Sequence, residues 1–512
     1  MISDQKQAQM TGADMADGLN SQSDSTSVRA SVLPPSLATK ISYGFGAIAY
    51  GVKDNGFGFF LLIFYSQVLG VDARLIGLAM TIALFLDALS DPIVGYWSDN
   101  FRSKWGRRHP FMYASALPVA ASFFLLWNPP EGWSDIALFW YVLVISVLIR
   151  TCITFYETPS SALAPELSDN YDQRSGLLSL RFFFGWTGGN MMAVIMFVVL
   201  FPAFATPTIP NGQFNKDAYS TYGIIASVMI FVAIMVSALG THKRIVHLKA
   251  PPPVRTLSIG LIFKEIFETL ANRSFIALFL AAIFGSIASG LSASMTFYFT
   301  SFFWGFTPQQ TGLLTISVFV SAIIGAVMAP LVTKSIGKKQ GAMIIGLVAF
   351  LGAPLPIVLR LLGVMPENGD PTLFWIVMLA NMVDTGLIIC FQILSASMLA
   401  DLVEDAEIKT GRRSEGIFFA ASAFIRKVVG GLGLTAATFV LTLAGLKAGA
   451  DPSQVSHETV MRLGMFYVPA ILTLWMIMLA IMSTYTITRD GHEANLRTLA
   501  EMKGKEGDGG DD

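Results

Sequence analysis

The sequence predicts an all-α membrane protein of twelve transmembrane helices in two six-helix halves. Three observations predict it. Of the 512 residues, 53% are hydrophobic and only 13% charged, against about 25% charged in soluble domains. Apolar runs recur between residues 43 and 487, each about 18–25 residues long and so able, as a helix, to cross about 30 Å of hydrocarbon. The chain also repeats itself. The loop DNFRSKWGRRHP (99–110) has a counterpart in TKSIGKKQGA (333–342), and APELSDNYDQRSG (164–176) is echoed by LADLVEDAEIKTGRRSEG (399–416). Placing Gly106 on Gly337 separates the two copies by 231 residues.

In chain order the spans are read at 43–69, 75–98, 110–128, 135–160, 177–203, 221–240, 274–301, 310–333, 341–363, 372–400, 415–446 and 459–487. Residues 1–36, rich in Ser, Asp, Gln and Met, read as a disordered N-terminal segment without a cleavable signal peptide. The first half covers 37–240, a basic Pro-rich linker 241–273, the second half 274–487, and a disordered tail 488–512. Lys and Arg concentrate in the loops at 99–109, 161–176, 241–273, 334–340 and 401–414, while the alternate loops hold little beyond Arg74, Lys216, Lys447 and Arg462. The positive-inside rule makes the first set cytoplasmic, with both termini, in an inner or plasma membrane. Cys152 and Cys390 both fall inside spans, which argues against a disulfide or a cysteine metal site.

The second span carries the strongest chemical signal. Asp87 and Asp91 lie four residues apart, on one face of a helix that must sit in hydrocarbon. An ionised Asp at that depth costs about 2.5–3.5 kcal/mol, and the pair repels unless a proton or cation lies between. With Ser90, and with Thr154 from the fourth span, they offer oxygens to a hard cation such as Na+. The alternatives are one carboxylate carrying a proton, or a structural salt bridge to Arg150 or Lys427. Arg150, Thr154 and Glu157 form one stripe at i, i+4 and i+7, suited to solute hydroxyls or an anionic group. Away from the span ends, further ionisable groups are Lys53, Asp54, Arg181, Asp384, Arg426 and Lys427, with Asp384 read as the structural partner of Arg426. Asp99, Arg102, Arg107 and Arg108 of the basic loop read either as a gate latch between cytoplasmic helix ends or as orientation signal and tight turn.

All five histidines are placed in loops or tails, which argues against a histidine proton relay. No G-x-x-x-x-G-K-[ST] motif occurs, and no nucleophile–base pair or metal-ligand cluster marks an enzyme. GFGAIAYG (44–51) and GGLGL (430–434) suit close helix contacts rather than nucleotide binding. Phe182, Phe183, Phe184 and Trp186 read as lipid-facing or packing residues.

The repeats and the basic Gly-turn loops resemble the major facilitator superfamily, whose binding site lies between parallel halves. TKISYGFGAIAYGVKDN (39–55), DALSDPIVG (87–95), SKWGRRHP (103–110), LRFFFGW (180–186) and the ADLVE…SEGIFF…RK run (400–427) further resemble the glycoside–pentoside–hexuronide:cation symporters. The resemblance implies that Asp87 and Asp91 bind the cation with support from Ser90 and Thr154. It implies that Asp54 and Arg181 hold sugar hydroxyls, that Glu157 serves both sites, and that Lys427 lies between them. Where the family's best-known galactoside carrier offers aromatic platforms, this chain has Ser161 and Gln392, so Gln392 becomes a candidate solute contact. Arg150 and Asp384 are additional to that pattern, and Arg150 favours an anionic solute.

The function expected is cation-coupled (Na+ or H+) symport of a sugar, glycoside or related small solute, anionic ones included, by alternating access. The rivals are a lysolipid or amphiphile symporter of the same fold and a non-transporting membrane sensor. No cofactor beyond the coupling ion is expected; the partners are the solute and membrane lipids, without nucleic acid, and the chain is read as a monomer.

Overall fold

The computed structural model describes residues 35–168, 171–245, 273–410, 415–452 and 454–485. The N-terminal segment 1–36, the linker 241–273 and the tail 488–512 therefore fall almost wholly outside the described residues. Among the described residues twelve long helices follow one another: α1 (Leu37–Val68), α2 (Ala73–Asn100), α3 (His109–Leu126), α4 (Asp135–Leu167), α5 (Tyr171–Ile195, continued through a π turn to Ala203), α6 (Lys216–His242), α7 (Arg273–Tyr298, continued to Phe303), α8 (Pro308–Ile336), α9 (Lys338–Leu361), α10 (Pro371–Thr410), α11 (Glu415–Ala444) and α12 (His457–Ser483). Eleven are long and apolar enough to cross a membrane, and α11 contributes the shorter apolar stretch Val429–Ala444.

Local signals set where these helices begin. Asp72 accepts the Arg74 backbone N–H at 2.8 Å and caps α2. Ser134, Asn215 and Ser456 do the same for α4, α6 and α12, and Thr307 forms a capping box with Gln310 ahead of Pro308. The turn between α8 and α9 passes through Gly337 at φ +80°, a conformation that side chains with a Cβ rarely adopt. Several helices outlast their apolar runs: α4 continues to Leu167 and α10 to Thr410, so the loops read at 161–176 and 401–414 are largely helical. A polar residue ends the hydrophobic span but not the backbone hydrogen-bond ladder, which polar helix formers propagate into water.

Helices α1–α6 pack chiefly on one another, as do α7–α12, with α2 against α11, α5 against α8 and α1 against α7 joining the two groups. Glycine permits the tightest crossings. A Cβ on Gly51 would stand 1.9 Å from the Gly185 carbonyl oxygen, and one on Gly433 2.3 Å from the Ile287 oxygen, so α1 meets α5 and α7 meets α11 backbone to backbone. Apolar side chains also cover the outside, Phe182 at 72% exposure and Leu117 at 67% among them. That is the surface of a helix bundle solvated by acyl chains rather than water.

One end of the bundle is closed by aromatic packing across the two groups. Phe59 and Phe60 of α1 each meet Phe297 of α7 at 5.4 Å, and Phe197 of α5 meets the same ring at 4.5 Å. At this end Ser301 donates to Gln213 at 2.7 Å, and the Gly449 N–H bonds the Ser66 carbonyl at 2.8 Å. The basic loop 101–108 lies at the opposite end, between α2 and α3.

Candidate functional site

Below that aromatic layer lies a cavity of about 420 Å³ walled by both groups of helices. Lys53, Asp54 and Phe57 come from α1, Asp87 from α2, Arg150 and Glu157 from α4. Facing them, α7 and α11 present the small surfaces of Gly290, Ala293, Ser294 and Gly430. Among the described residues, charge is therefore concentrated on one wall, and small or apolar side chains, Leu434 included, form the other. A π turn at Gly56–Phe60 interrupts α1 at the cavity, a distortion that often accompanies functional sites.

The i,i+4 spacing in α2 does what the sequence suggested. Asp87 is 2% exposed, Asp91 is half-buried one turn further along, and both carboxylates reach the Thr154 hydroxyl. Thr154 Oγ1 stands 3.3 Å from Asp87 Oδ1, 3.0 Å from Asp91 Oδ1 and 2.9 Å from the Arg150 carbonyl oxygen. One hydroxyl proton faces three acceptors, so it satisfies only one of them at a time. Arg150 Nη1 lies 3.3 Å from Asp87 Oδ2, both side chains being almost fully buried. The guanidinium stacks 4.6 Å over the Phe57 ring.

Other candidates are placed differently. The Ser90 hydroxyl donates to the Asp87 backbone carbonyl at 2.9 Å, the usual recourse of a helical Ser, rather than to a carboxylate. Glu157 lines the cavity with Asp87; among the described residues no three His, Cys, Asp or Glu side chains cluster closely enough to hold a metal ion. Asp54, 60% exposed, pairs at 2.8 Å with Lys53, which is 3% exposed. Sequence alone assigned Lys53 no role beyond being charged, yet it is part of the wall.

Arg181 is absent from that wall. Its guanidinium is enclosed by Tyr43 at 5.9 Å and Tyr50 at 5.1 Å, and it donates to the Ser160 hydroxyl and the Glu157 carbonyl. This cage of α1, α4 and α5 side chains encloses Arg181 in this conformation. Gln392 is exposed and off the cavity wall, and the Ser161 hydroxyl is turned back onto the Thr158 carbonyl at 2.8 Å. The side chains of Asp99, Arg426 and Lys427 lie outside the described residues, and the pairing expected of Asp384 with Arg426 lies there with them. Among the described residues Asp384 forms no ion pair; its Oδ1 lies 2.8 Å from where a Cβ on Gly352 would stand.

Around the basic loop, Arg102 is exposed and Arg108 is 5% exposed. Several contacts of this region run to α6 and the turn after it: Gly106 faces Ile245, His109 meets the Thr241 hydroxyl at 3.0 Å, and Tyr113 meets His242 Nδ1 at 2.8 Å. They tie α3 to α6 inside the first group of helices. His109 opens α3, His457 opens α12 and His242 closes α6, so these three belong to helix ends rather than to loops. The sequence hid this because polar residues at both ends of an apolar run look like linker.

Comparison with known proteins gives this geometry a setting. Residues 42–489 match the family model described as MFS/sugar transport protein. The chain is similar to an isoprimeverose transporter of Lactiplantibacillus pentosus, 24% identical over 80% of this chain and 81% of that one. It is equally similar to a sodium-dependent lysophosphatidylcholine symporter of Danio rerio, 25% identical over 90% of this chain and 88% of that one. Two further curated symporters, 34% and 27% identical, are matched over only 38% and 46% of their own length. The fold resembles that of a solved D-xylose–proton symporter, with a TM-score of 0.58 at 13% identity over 86% of this chain and 97% of that one. A polytopic helical chain with this match over nearly its whole length belongs to the MFS/sugar transport protein family, the family of the glycoside–pentoside–hexuronide symporters.

Proposed function

We propose that this protein is a cation-coupled symporter that carries a sugar, glycoside or related small solute, anionic ones included, by alternating access. The observation that supports it most is the oxygen cluster of Asp87, Asp91 and Thr154. With the Thr154 proton on the Arg150 carbonyl, the Thr154 oxygen stands 3.3 Å from an Asp87 oxygen and 3.0 Å from an Asp91 oxygen, with its lone pairs free for a cation. Oxygens around one cation at about 2.4 Å lie about 3.4 Å apart in octahedral arrangement, so a small hard cation fits this spacing after slight expansion. The ion removes the repulsion between the carboxylates, and the solute occupies the adjoining cavity beside Asp54, Glu157 and Lys53. The aromatic packing around Phe297 supports a state open toward the basic-loop side, which the charge bias would place in the cytoplasm. Joint occupancy then allows the two groups of helices to rock about the fixed site, and ion and solute raise one another's affinity equally. The protein works in an inner or plasma membrane with both termini cytoplasmic, as a monomer.

Uptake into proteoliposomes under an imposed Na+ or H+ gradient tests the reading, with a panel of neutral glycosides, uronides and lysolipids. Gradient-driven accumulation of a glycoside or uronide, lost when Asp87 and Asp91 are both replaced by Asn, is the expected result. Accumulation that survives the double replacement contradicts the cation site. Accumulation of lysolipids alone contradicts the solute class.

A further inference from the structure

Arg150 sits where a coupling cation has to act. Its Nη1 is 3.3 Å from Asp87 Oδ2, and Asp87 and Arg150 both line the cavity. The pair is not a saturated structural bridge. A guanidinium has five N–H donors, and Arg150 Nε is buried with no hydrogen-bond partner. One face of the group lies on Phe57, a support that positions it without using its donors. Lys53, the other cation of the wall, is already held by Asp54 at 2.8 Å.

Resting on the cation-site reading above, we propose that Arg150 is a tethered competitor of the coupling cation. It neutralises Asp87 while the ion site is empty. A cation entering among Asp87, Asp91 and Thr154 takes over that task, and two positive charges on one carboxylate repel. The guanidinium then moves into the cavity on its long side chain, where its fork of donors is set for a carboxylate, phosphate or sulfonate of the solute. Ion binding thereby creates the anion site, and a solute anion that retains Arg150 keeps Asp87 available to the ion. Coupling follows from the exchange of one charge between two partners, without a backbone movement.

The test uses purified full-length protein and two probes: Na+ alone, and a pH titration in Na+-free buffer. Cation affinity is read from tryptophan fluorescence in wild type, Arg150→Gln and the Asp87→Asn/Asp91→Asn double variant. Removing the competitor is expected to tighten cation binding about tenfold or more. Cation binding by wild type with unchanged or weaker binding by Arg150→Gln overturns the competitor while leaving the cation site standing. Equal responses from wild type and the double variant overturn the cation site itself, and the inference with it. A second measurement needs no substitution: the rate at which an arginine-selective dicarbonyl labels Arg150, read by mass spectrometry with caged Arg181 as internal reference. Cation is expected to raise the labelling of Arg150 several-fold relative to Arg181; unchanged or slower labelling overturns the proposal.

Discussion

Replacing Thr154 with Val probes the centre of the site with little change of shape. Thr154 is 1% exposed and its hydroxyl is the one group within 3.3 Å of both carboxylates among the contacts described. Val keeps the volume and removes only the oxygen. A hydrogen bond or ligand contact to a charged group contributes about 1.5–3 kcal/mol, so cation affinity should fall about tenfold to a hundredfold at about 1.4 kcal/mol per decade. The carboxylates also lose their shared contact. Laid end to end, the 3.3 and 3.0 Å contacts place the two Oδ1 atoms no more than 6.3 Å apart, where like charges repel by at least about 2–3 kcal/mol at an effective dielectric near 20. Calorimetric titration of purified protein with the cation gives the dissociation constant directly. Thr154→Ser restores the oxygen and should return within about threefold of wild type. A Val variant that folds and binds as tightly as wild type would refute the three-oxygen site.

Three other perturbations follow from the geometry. Gly51→Ala puts a Cβ 1.9 Å from the Gly185 carbonyl oxygen, so α1 and α5 must separate; a loss of about 1–3 kcal/mol is expected, seen as a lower melting temperature in detergent, while Gly176→Ala, with open space at its Cβ, should melt like wild type. Arg181→Lys keeps the charge but loses the planar group that fits between Tyr43, Tyr50 and Ser160, and a drop in folded yield by size-exclusion chromatography should reveal it. Asp72→Ala removes the N-cap of α2 at a cost of about 1 kcal/mol. Because Arg74 holds the Asp72 carboxyl below its usual value of 3.8, that contribution is present at neutral pH and is lost as pH falls below about 4; a melting difference that persists unchanged at pH 3 would contradict the capping role.

Read as a string, the chain already determined its solvent, its helix count and the position of its carboxylate pair. Those features depend on spacing along one helix: run length sets the span, and an interval of four residues puts Asp87 and Asp91 on one face. The glycine clusters at 44–51 and 430–434 likewise announced close crossings, which α1–α5 and α7–α11 display. Partners across helices were another matter. That Arg150 rests on Asp87, that Arg181 is caged by tyrosines, that Lys53 joins the cavity wall and that Gln392 stands off it depend on the relative depth and rotation of separate helices. A rotation of one residue turns a side chain by about 100°, and no local periodicity records that angle. Only the packing of twelve helices against one another sets it, and with it which charges meet.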